Sequence, residues 1–224
     1  IRVLGDLSIK DFNHYRVAVH PLFVISFQPI VVILKIIFCD SVIAIIFLQG
    51  VISSISTLLI YKIFGKMNLK KYNQLFFTIL FGISFTQILY SASIETYIYA
   101  QFLLIPLWLF VLCKLDKKLV YWDYIILVLL GIASIAVTVT NFVQFLVAII
   151  FLIVLNKKIE KRFISACVLI LIVISMSVFL AEVQNIIWPA APNFFSEGIN
   201  DYLNGTFEET LYTTKTLGLK NFIK

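Results

Sequence analysis

A series of apolar stretches recurs along most of this chain. Most of them approach the roughly 20 residues that a helix needs to cross a hydrocarbon core of about 30 Å. A strand in lipid would leave backbone amides unpaired, so each stretch is predicted to be a helix. The stretches cover residues 41–60, 75–89, 94–112, 120–139, 142–155 and 163–180.

Composition agrees with membrane insertion. Hydrophobic residues make up 61% of the 224 residues and charged residues 13%, whereas soluble domains have about 45–50% and about 25%. A soluble globular domain, a disordered chain and a disulfide-stapled secreted domain are excluded. The three cysteines lack metal-ligand spacing and are expected to be free packing residues. The predicted fold class is an all-α membrane protein, a polytopic transmembrane helix bundle with about six spanning helices.

The charge pattern predicts how the helices are oriented. Three short loops hold 11 of the 18 cations, and this enrichment identifies them as cytoplasmic by the positive-inside rule. The loops at residues 90–93 and 138–141 contain no Lys or Arg and are predicted to face outward. The basic excess therefore reports topology, and no nucleic-acid partner is expected. The loop cations are Lys62, Lys66, Lys70, Lys71, Lys114, Lys117, Lys118, Lys157, Lys158, Lys161 and Arg162.

The stretch at residues 21–38 allows two interpretations. It is apolar enough to span, but Pro29 and Lys35 interrupt it, and a lysine at mid-bilayer costs about 2.5–3.5 kcal/mol on insertion scales. If it spans, residues 1–20 are cytoplasmic. If it lies in the outer leaflet, they are outside.

Polar side chains collect near the predicted outer ends of the helices. In spanning segments such residues usually face the bundle interior or a wet cavity. We therefore predict a cavity that opens outward, with ordinary helix capping and interhelical hydrogen bonding as the alternative. Glu95 allows the same two interpretations, as a carboxylate at a helix N-terminus or as a cavity group that orients a polar substrate. The residues in question are Gln87, Glu95, Thr96, Gln101, Thr138, Thr140, Asn141, Gln144, Glu182 and Gln184.

The N-terminal segment resembles a known enzyme family. Residues 2–8 read Arg-Val-Leu-Gly-Asp-Leu-Ser, and residues 14–23 read His-Tyr-Arg-Val-Ala-Val-His-Pro-Leu-Phe. An acidic residue followed by a His-Pro-Leu-aromatic stretch resembles the first outer loop of GT-C type glycosyltransferases, which include protein mannosyltransferases. The resemblance continues at residues 48–65 and 86–99 and covers residues 1–180. One departure is that a single proline follows His20, where many members have two.

The resemblance implies a fold and a reaction. Residues 1–40 would be an outer loop with a juxtamembrane helix, residues 41–181 the helix bundle and residues 182–224 an extracytoplasmic segment. Because the chain begins at Ile1, we expect a fragment with a further span upstream. The enzyme would be an integral, multi-pass protein, in the plasma membrane if bacterial. It would take a sugar from a polyprenyl-phosphate donor and pass it to an acceptor outside the membrane.

Sugar transfer needs a base for the acceptor hydroxyl and cations for the leaving phosphate. The resemblance implies Asp6 as the base, with Asp11 as second choice, and Glu95 as a further outer-loop acid. Arg16 and His20 are the candidate phosphate partners, since Arg suits bidentate phosphate contacts. Substrate binding is also assigned to the cavity residues Gln101, Asn141 and Gln144. No cofactor is evident, and a divalent metal stays open but has no ligand cluster in its support.

Two other classes of function stay open. A transporter or flippase for a lipid-linked or amphipathic solute would favour paired broken helices and ionisable groups near the midplane. A non-catalytic assembly subunit would not require polar residues biased to one leaflet. The sequence favours the enzyme, because no duplicated half is evident and the predicted midplane is apolar apart from Lys35.

Overall fold

The computed structural model describes residues 20–94, 96–115, 117–154 and 162–187. Within these ranges 86% of the residues are helical and there is no strand, which confirms the predicted all-α class. The helices are α1 (Phe23–Phe38), α2 (Ser41–Lys66), α3 (Lys71–Gly82), α4 (Phe85–Ala92), α5 (Tyr97–Lys114), α6 (Tyr121–Val137), α7 (Asn141–Ile149, continued by a π turn at Ile150–Val154) and α8 (Arg162–Ile187).

Local capping chemistry separates α1 from α2. The backbone of Cys39 is left-handed, with φ at 55°, and its N–H donates to the carbonyl of Lys35 at 2.8 Å. This geometry satisfies one of the carbonyls left unpaired at a helix end. Asp40 then caps α2, because its carboxylate accepts from the N–H of Ile43 at 2.9 Å. Two residues are thus enough to end one helix and begin the next.

Three helices are long and apolar enough to cross a membrane by themselves. These helices are α2, α5 and the part of α8 from Phe163 to Gln184. The number rises to four if the bent pair of α3 and α4 counts as one span. The remaining predicted spans are shorter: α6 has 17 residues, and α7 has 9 before its 5-residue π turn. The described residues therefore support a membrane protein with three or four candidate spans, and the predicted six spanning helices are not confirmed.

The stretch at residues 75–89, predicted as one helix, is broken. α3 and α4 meet at 48° across Ile83 and Ser84. The Ser84 hydroxyl donates to the carbonyl of Phe81 at 2.8 Å and accepts from the N–H of Gln87 at 3.3 Å. One serine therefore serves the end of α3 and the start of α4, which makes a break tolerable inside an apolar segment.

Side chains from the two halves of the bundle form separate apolar cores around α5. The first core joins α1 and α2 to the start of α5, through residues such as Phe27, Leu48 and Tyr99. The second core joins the end of α5 to α6, α7 and α8, through residues such as Leu107 and Phe145. α5 therefore contributes its first turns to one core and its last turns to the other.

Hydrogen bonds and ion pairs define the two ends of the bundle. At the basic end, Lys114 of α5 pairs with Asp123 of α6 at 2.7 Å, and Gln74 of α3 donates to the carbonyl of Tyr61 of α2 at 2.6 Å. At the polar end, the start of α1 meets the end of α6, where the N–H of Leu22 donates to the carbonyl of Ala136 at 3.0 Å. The cation-rich loops and the polar residues thus belong to opposite ends.

α1 lies along the half of the bundle nearer the polar end. Near its start, Phe23 stacks edge-on against Tyr99 of α5, with ring centroids 5.3 Å apart. At its other end, Phe38 contacts Phe47 of α2, with ring centroids 4.9 Å apart, within the first third of that helix. Both ends of α1 therefore pack against helix segments close to the polar end.

Candidate functional site

The polar end is held together by bonds from α8 to the start of α1. The side chain of Gln184 is fully buried, its amide donates to the carbonyl of Pro21 at 3.0 Å, and its oxygen accepts from the N–H of Ile25 at 3.1 Å. The first N–H groups of a helix have no partner inside it, and Leu22 offers no side-chain cap. Gln184 therefore performs from α8 the capping function that the local sequence lacks.

His20, one of the predicted substrate-binding residues, lies at this junction. Its ring nitrogen Nδ1 bonds to the carbonyl of Val137 and lies 3.4 Å from the hydroxyl of Thr138. A carbonyl oxygen only accepts, so Nδ1 is the donor in this bond. The ring is half-buried. Its contacts with Val137 and Thr138 bring His20 together with the end of α6.

Asn141 and Gln144 follow one turn apart in α7, as the sequence predicted. The N–H of Asn141 donates to the carbonyl of Thr138 at 3.0 Å, while its buried side-chain nitrogen has no hydrogen-bond partner among the described residues. The Gln144 side chain is exposed. Both residues thus belong to the same end of the bundle as His20, and the Asn141 amide keeps a donor unused there.

Gln101 belongs to a second set of polar residues, which we call the glutamine network. Its amide donates to the side-chain oxygen of Gln87 at 2.9 Å, and the amide of Gln87 donates to the hydroxyl of Ser53 at 2.7 Å. Gln49 adds a bond to the carbonyl of Ser93 at 3.1 Å. These bonds tie α2, α4 and α5 together, which is the interhelical role expected of amides in a membrane protein.

The glutamine network also sets the helices in register. Ser53 is at the middle of α2, whereas Gln101 is in the second turn of α5. At a rise of 1.5 Å per residue, α2 therefore extends about 12 Å further than α5 on the side of the polar end. α1 packs on this extension, and several of the side chains there are exposed isoleucines, including Ile33, Ile36 and Ile43. The predicted outward cavity would lie beside an apolar projection.

Tyr99 is a buried polar group that sequence reasoning missed. It is fully buried where α5 packs against α1, and its ring contacts the rings of Phe23 and Phe27. Its hydroxyl has no partner among the described residues. Burying a hydroxyl without a hydrogen bond costs free energy. The sequence signal was weak, because Tyr99 stands among other tyrosines in an apolar helix.

Four predicted site residues lie outside the described residues. They are Asp6, Asp11, Arg16 and Glu95. Their roles stay predictions. In the part of the chain that the structure describes, no three His, Cys, Asp or Glu side chains are grouped so that they could hold a metal ion.

Other informative residues were absent from the predicted site. Gln49 and Ser53 are spaced four residues apart in an otherwise apolar helix, a spacing that places both on one face. Asp123 is buried, accepts from the N–H of Val120 at 3.0 Å and pairs with Lys114.

Comparison of the chain with known protein families, curated proteins and solved structures gives no match.

Proposed function

We propose that this chain is part of a membrane glycosyltransferase that moves a sugar from a polyprenyl-phosphate donor to an acceptor on the extracytoplasmic side. One observation carries the proposal. The segment from His20 to Leu22 is bonded to the ends of α6 and α8, so the chain that carries the proposed acids joins the bundle at its polar end. The resemblance of that segment to the GT-C outer loop supports the same reaction.

The proposed mechanism divides the chemistry between two sets of residues. Asp6, or Asp11 in its place, removes the proton from the acceptor hydroxyl as it attacks the anomeric carbon. Arg16 and protonated His20 stabilise the charge on the leaving lipid phosphate. The bond between Nδ1 of His20 and the Val137 carbonyl would hold the ring in place for this role.

The remaining proposed residues bind and position the two substrates. The exposed amide of Gln144 is suited to sugar hydroxyls. Asn141, one turn before it in α7, stays a proposed binding residue. Gln101 would act through Gln87, since its amide is already bonded there. Glu95, two residues before α5 in the sequence, is proposed as a second acid.

The proposed topology has six crossings and an outward-facing site. α6 and α7 with its π turn complete the set, although at 1.5 Å per residue they reach only about 25 Å and about 21 Å. Short helices are accommodated by local thinning of the bilayer. α1 is proposed to lie in the outer leaflet, because its two ends pack near the polar end and its isoleucines are exposed.

The test is transfer of a radiolabelled sugar from polyprenyl phosphate by the full-length protein in membranes. We expect the single variant that removes the base, Asp6→Asn or Asp11→Asn, to lower transfer at least a hundredfold, a typical loss for a general base. The single variant Glu95→Gln is expected to lower transfer by as much. Asp40→Asn is the matched control, because Asn caps a helix as well as Asp does. Full activity in all three site variants, at normal expression, would contradict the proposed reaction.

A transporter or flippase is the second candidate, and one observation favours it. The break between α3 and α4 lies next to Gln87, which bonds to the middle of α2, and broken helices with polar groups near the midplane are typical of transporters. Reconstituted liposomes distinguish the candidates. Movement of a fluorescent lipid-linked sugar between leaflets without sugar transfer would favour transport.

A further inference from the structure

A groove between α6 and α8 opens at the basic end of the bundle. It encloses about 430 Å³ and is lined by residues one helical turn apart on each helix, including Tyr121, Tyr124 and Val128 of α6 and Ser165, Val168 and Ile172 of α8. The groove runs along α6 from Tyr121 to Leu129, which is about 12 Å. This is close to the depth of one leaflet of a bilayer, about 15 Å.

Polarity along the groove changes in one direction. Tyr121, Tyr124 and Ser165, which carry hydroxyl groups, belong to the first turns of the two helices, and the other lining residues are aliphatic. Trp122 is exposed beside Tyr121, with ring centroids 5.7 Å apart. Exposed Tyr and Trp side chains are typical of the interface between lipid headgroups and hydrocarbon. The mouth therefore matches the headgroup level, and the interior matches acyl chains.

The stretches at the start of α6 and just before α8 in the sequence are basic. Residues 114–123 and 157–162 together contain seven cations and three acids, a net charge of +4. One of the acids, Asp123, is already paired with Lys114, which leaves its charge balanced. Lys118 is exposed three residues ahead of Tyr121. A cationic mouth over an apolar groove is complementary to a lipid with a negative headgroup.

The geometry points to a binding site for an anionic phospholipid of the leaflet on the lysine-rich side. One acyl chain occupies the groove between α6 and α8, and the phosphate lies at the mouth near Lys117, Lys118 and the tyrosine hydroxyls. This site is at the opposite end of the bundle from the proposed transfer site. It therefore does not depend on the proposed function.

The test compares two lipids with the same acyl chains, palmitoyl-oleoyl phosphatidylglycerol and palmitoyl-oleoyl phosphatidylcholine. Their retention by the purified protein is measured by native mass spectrometry, and their apparent affinity by the shift in thermal unfolding in detergent. We expect the anionic lipid to bind more tightly. Each lysine near a membrane surface is worth about fivefold, so the double variant K117A/K118A should weaken it roughly 25-fold.

The double variant K70A/K71A is the matched control, since it removes the same charge from the loop between α2 and α3. Equal affinity for the two lipids would overturn the site. So would an anionic preference that survives K117A/K118A, or one that falls equally in the two double variants. Circular dichroism of each variant is the check that its helices are kept.

A second pair of variants tests the groove itself. Val168→Trp fills the groove, and Leu171→Trp adds the same ring to an exposed position of α8 outside the groove lining. We expect Val168→Trp to lower retention of both lipids by at least fivefold relative to Leu171→Trp. Equal retention by the two variants would show that the lipid's acyl chain does not occupy the groove.

Discussion

Gln184 shows how a single buried side chain can connect distant parts of this chain. Its two hydrogen bonds reach residues 159 and 163 positions away and supply partners for a helix start that has none of its own. A side chain that completes buried backbone groups contributes more than an exposed one of the same type, because its removal leaves those groups unsatisfied.

We expect Gln184→Leu to lower the free energy of unfolding by about 1–3 kcal/mol, since the carbonyl of Pro21 and the N–H of Ile25 lose their partners. The measurement is unfolding in detergent followed by circular dichroism. Gln144→Leu, at an exposed position, is the control and should change stability by less than about 0.5 kcal/mol. Equal effects would mean that the Gln184 bonds do not stabilise the fold.

Tyr99 predicts the opposite result. Its hydroxyl is buried without a partner among the described residues, so Tyr99→Phe removes a desolvated polar group and keeps the ring. We expect stability to stay the same or to rise by up to about 1 kcal/mol, as measured by the same unfolding experiment. Tyr97→Phe, where the side chain is exposed, should have no effect. A loss of stability in Tyr99→Phe would reveal a hydrogen bond from a residue outside the described ranges.

At the scale of elements, close packing of helices depends on where glycine occurs. A Cβ added at Gly131 of α6 would lie 2.8 Å from the ring of Phe145 and 2.8 Å from a methyl group of Val173. Gly131 therefore lets α6 approach both α7 and α8, as small residues do in membrane bundles. At Gly50 of α2 an added Cβ would meet no atom within 4 Å.

These two glycines give a matched prediction. Gly131→Ala should destabilise the protein by about 1–3 kcal/mol, because the ring of Phe145 or the α8 backbone must shift. Gly50→Ala should be neutral or stabilising by up to about 1 kcal/mol, since alanine has the higher helix propensity. Unfolding in detergent measures both. If Gly131→Ala is as harmless as Gly50→Ala, the close approach of the three helices is not needed for stability.

The apolar stretches predicted where the helices of this chain lie better than they predicted where those helices are interrupted. All six stretches contain helix, because length and hydropathy are local properties. The break at Ser84 was visible as a Gly and a Ser within an apolar run, a known signal for a break. The π turn after Ile149 has no such signal in the sequence.

The candidate site was predictable only in part. Charge placement alone separated the polar end from the basic end, and His20, Asn141 and Gln144 belong to the polar end. Gln101 points to a different partner, Gln87, since the register between α2 and α5 comes from tertiary contacts that no local pattern encodes. Gln184 was visible as a polar residue, but its role as the cap of α1 requires knowing which helices meet.

At the scale of the whole molecule, α1 decides between the two topologies that the sequence allows. Its start is bonded to the end of α6 and its end contacts the first third of α2. If both helices reach the outer leaflet at those points, α1 does not cross, and Cys39, between α1 and α2, is on the same side as the loop before α7. If α1 crosses instead, Cys39 is still on that side, and residues 1–19 are on the side of the lysine-rich loops.

Labelling of single cysteines tests this arrangement with residues that the chain already offers. In a variant without Cys113 and Cys167, a membrane-impermeant maleimide should reach the exposed Cys39 from outside intact cells. In a background lacking all three native cysteines, Thr140→Cys should react from the same side, and Met67→Cys only after the cells are opened, because Met67 follows α2 in a cation-rich loop. The deciding variant in that background is Asn13→Cys, before α1, which should also react from outside. Reaction of Asn13→Cys only after the cells are opened would show that α1 crosses the membrane, and residues 1–19 would then be separated from the outer ends of α6 and α8.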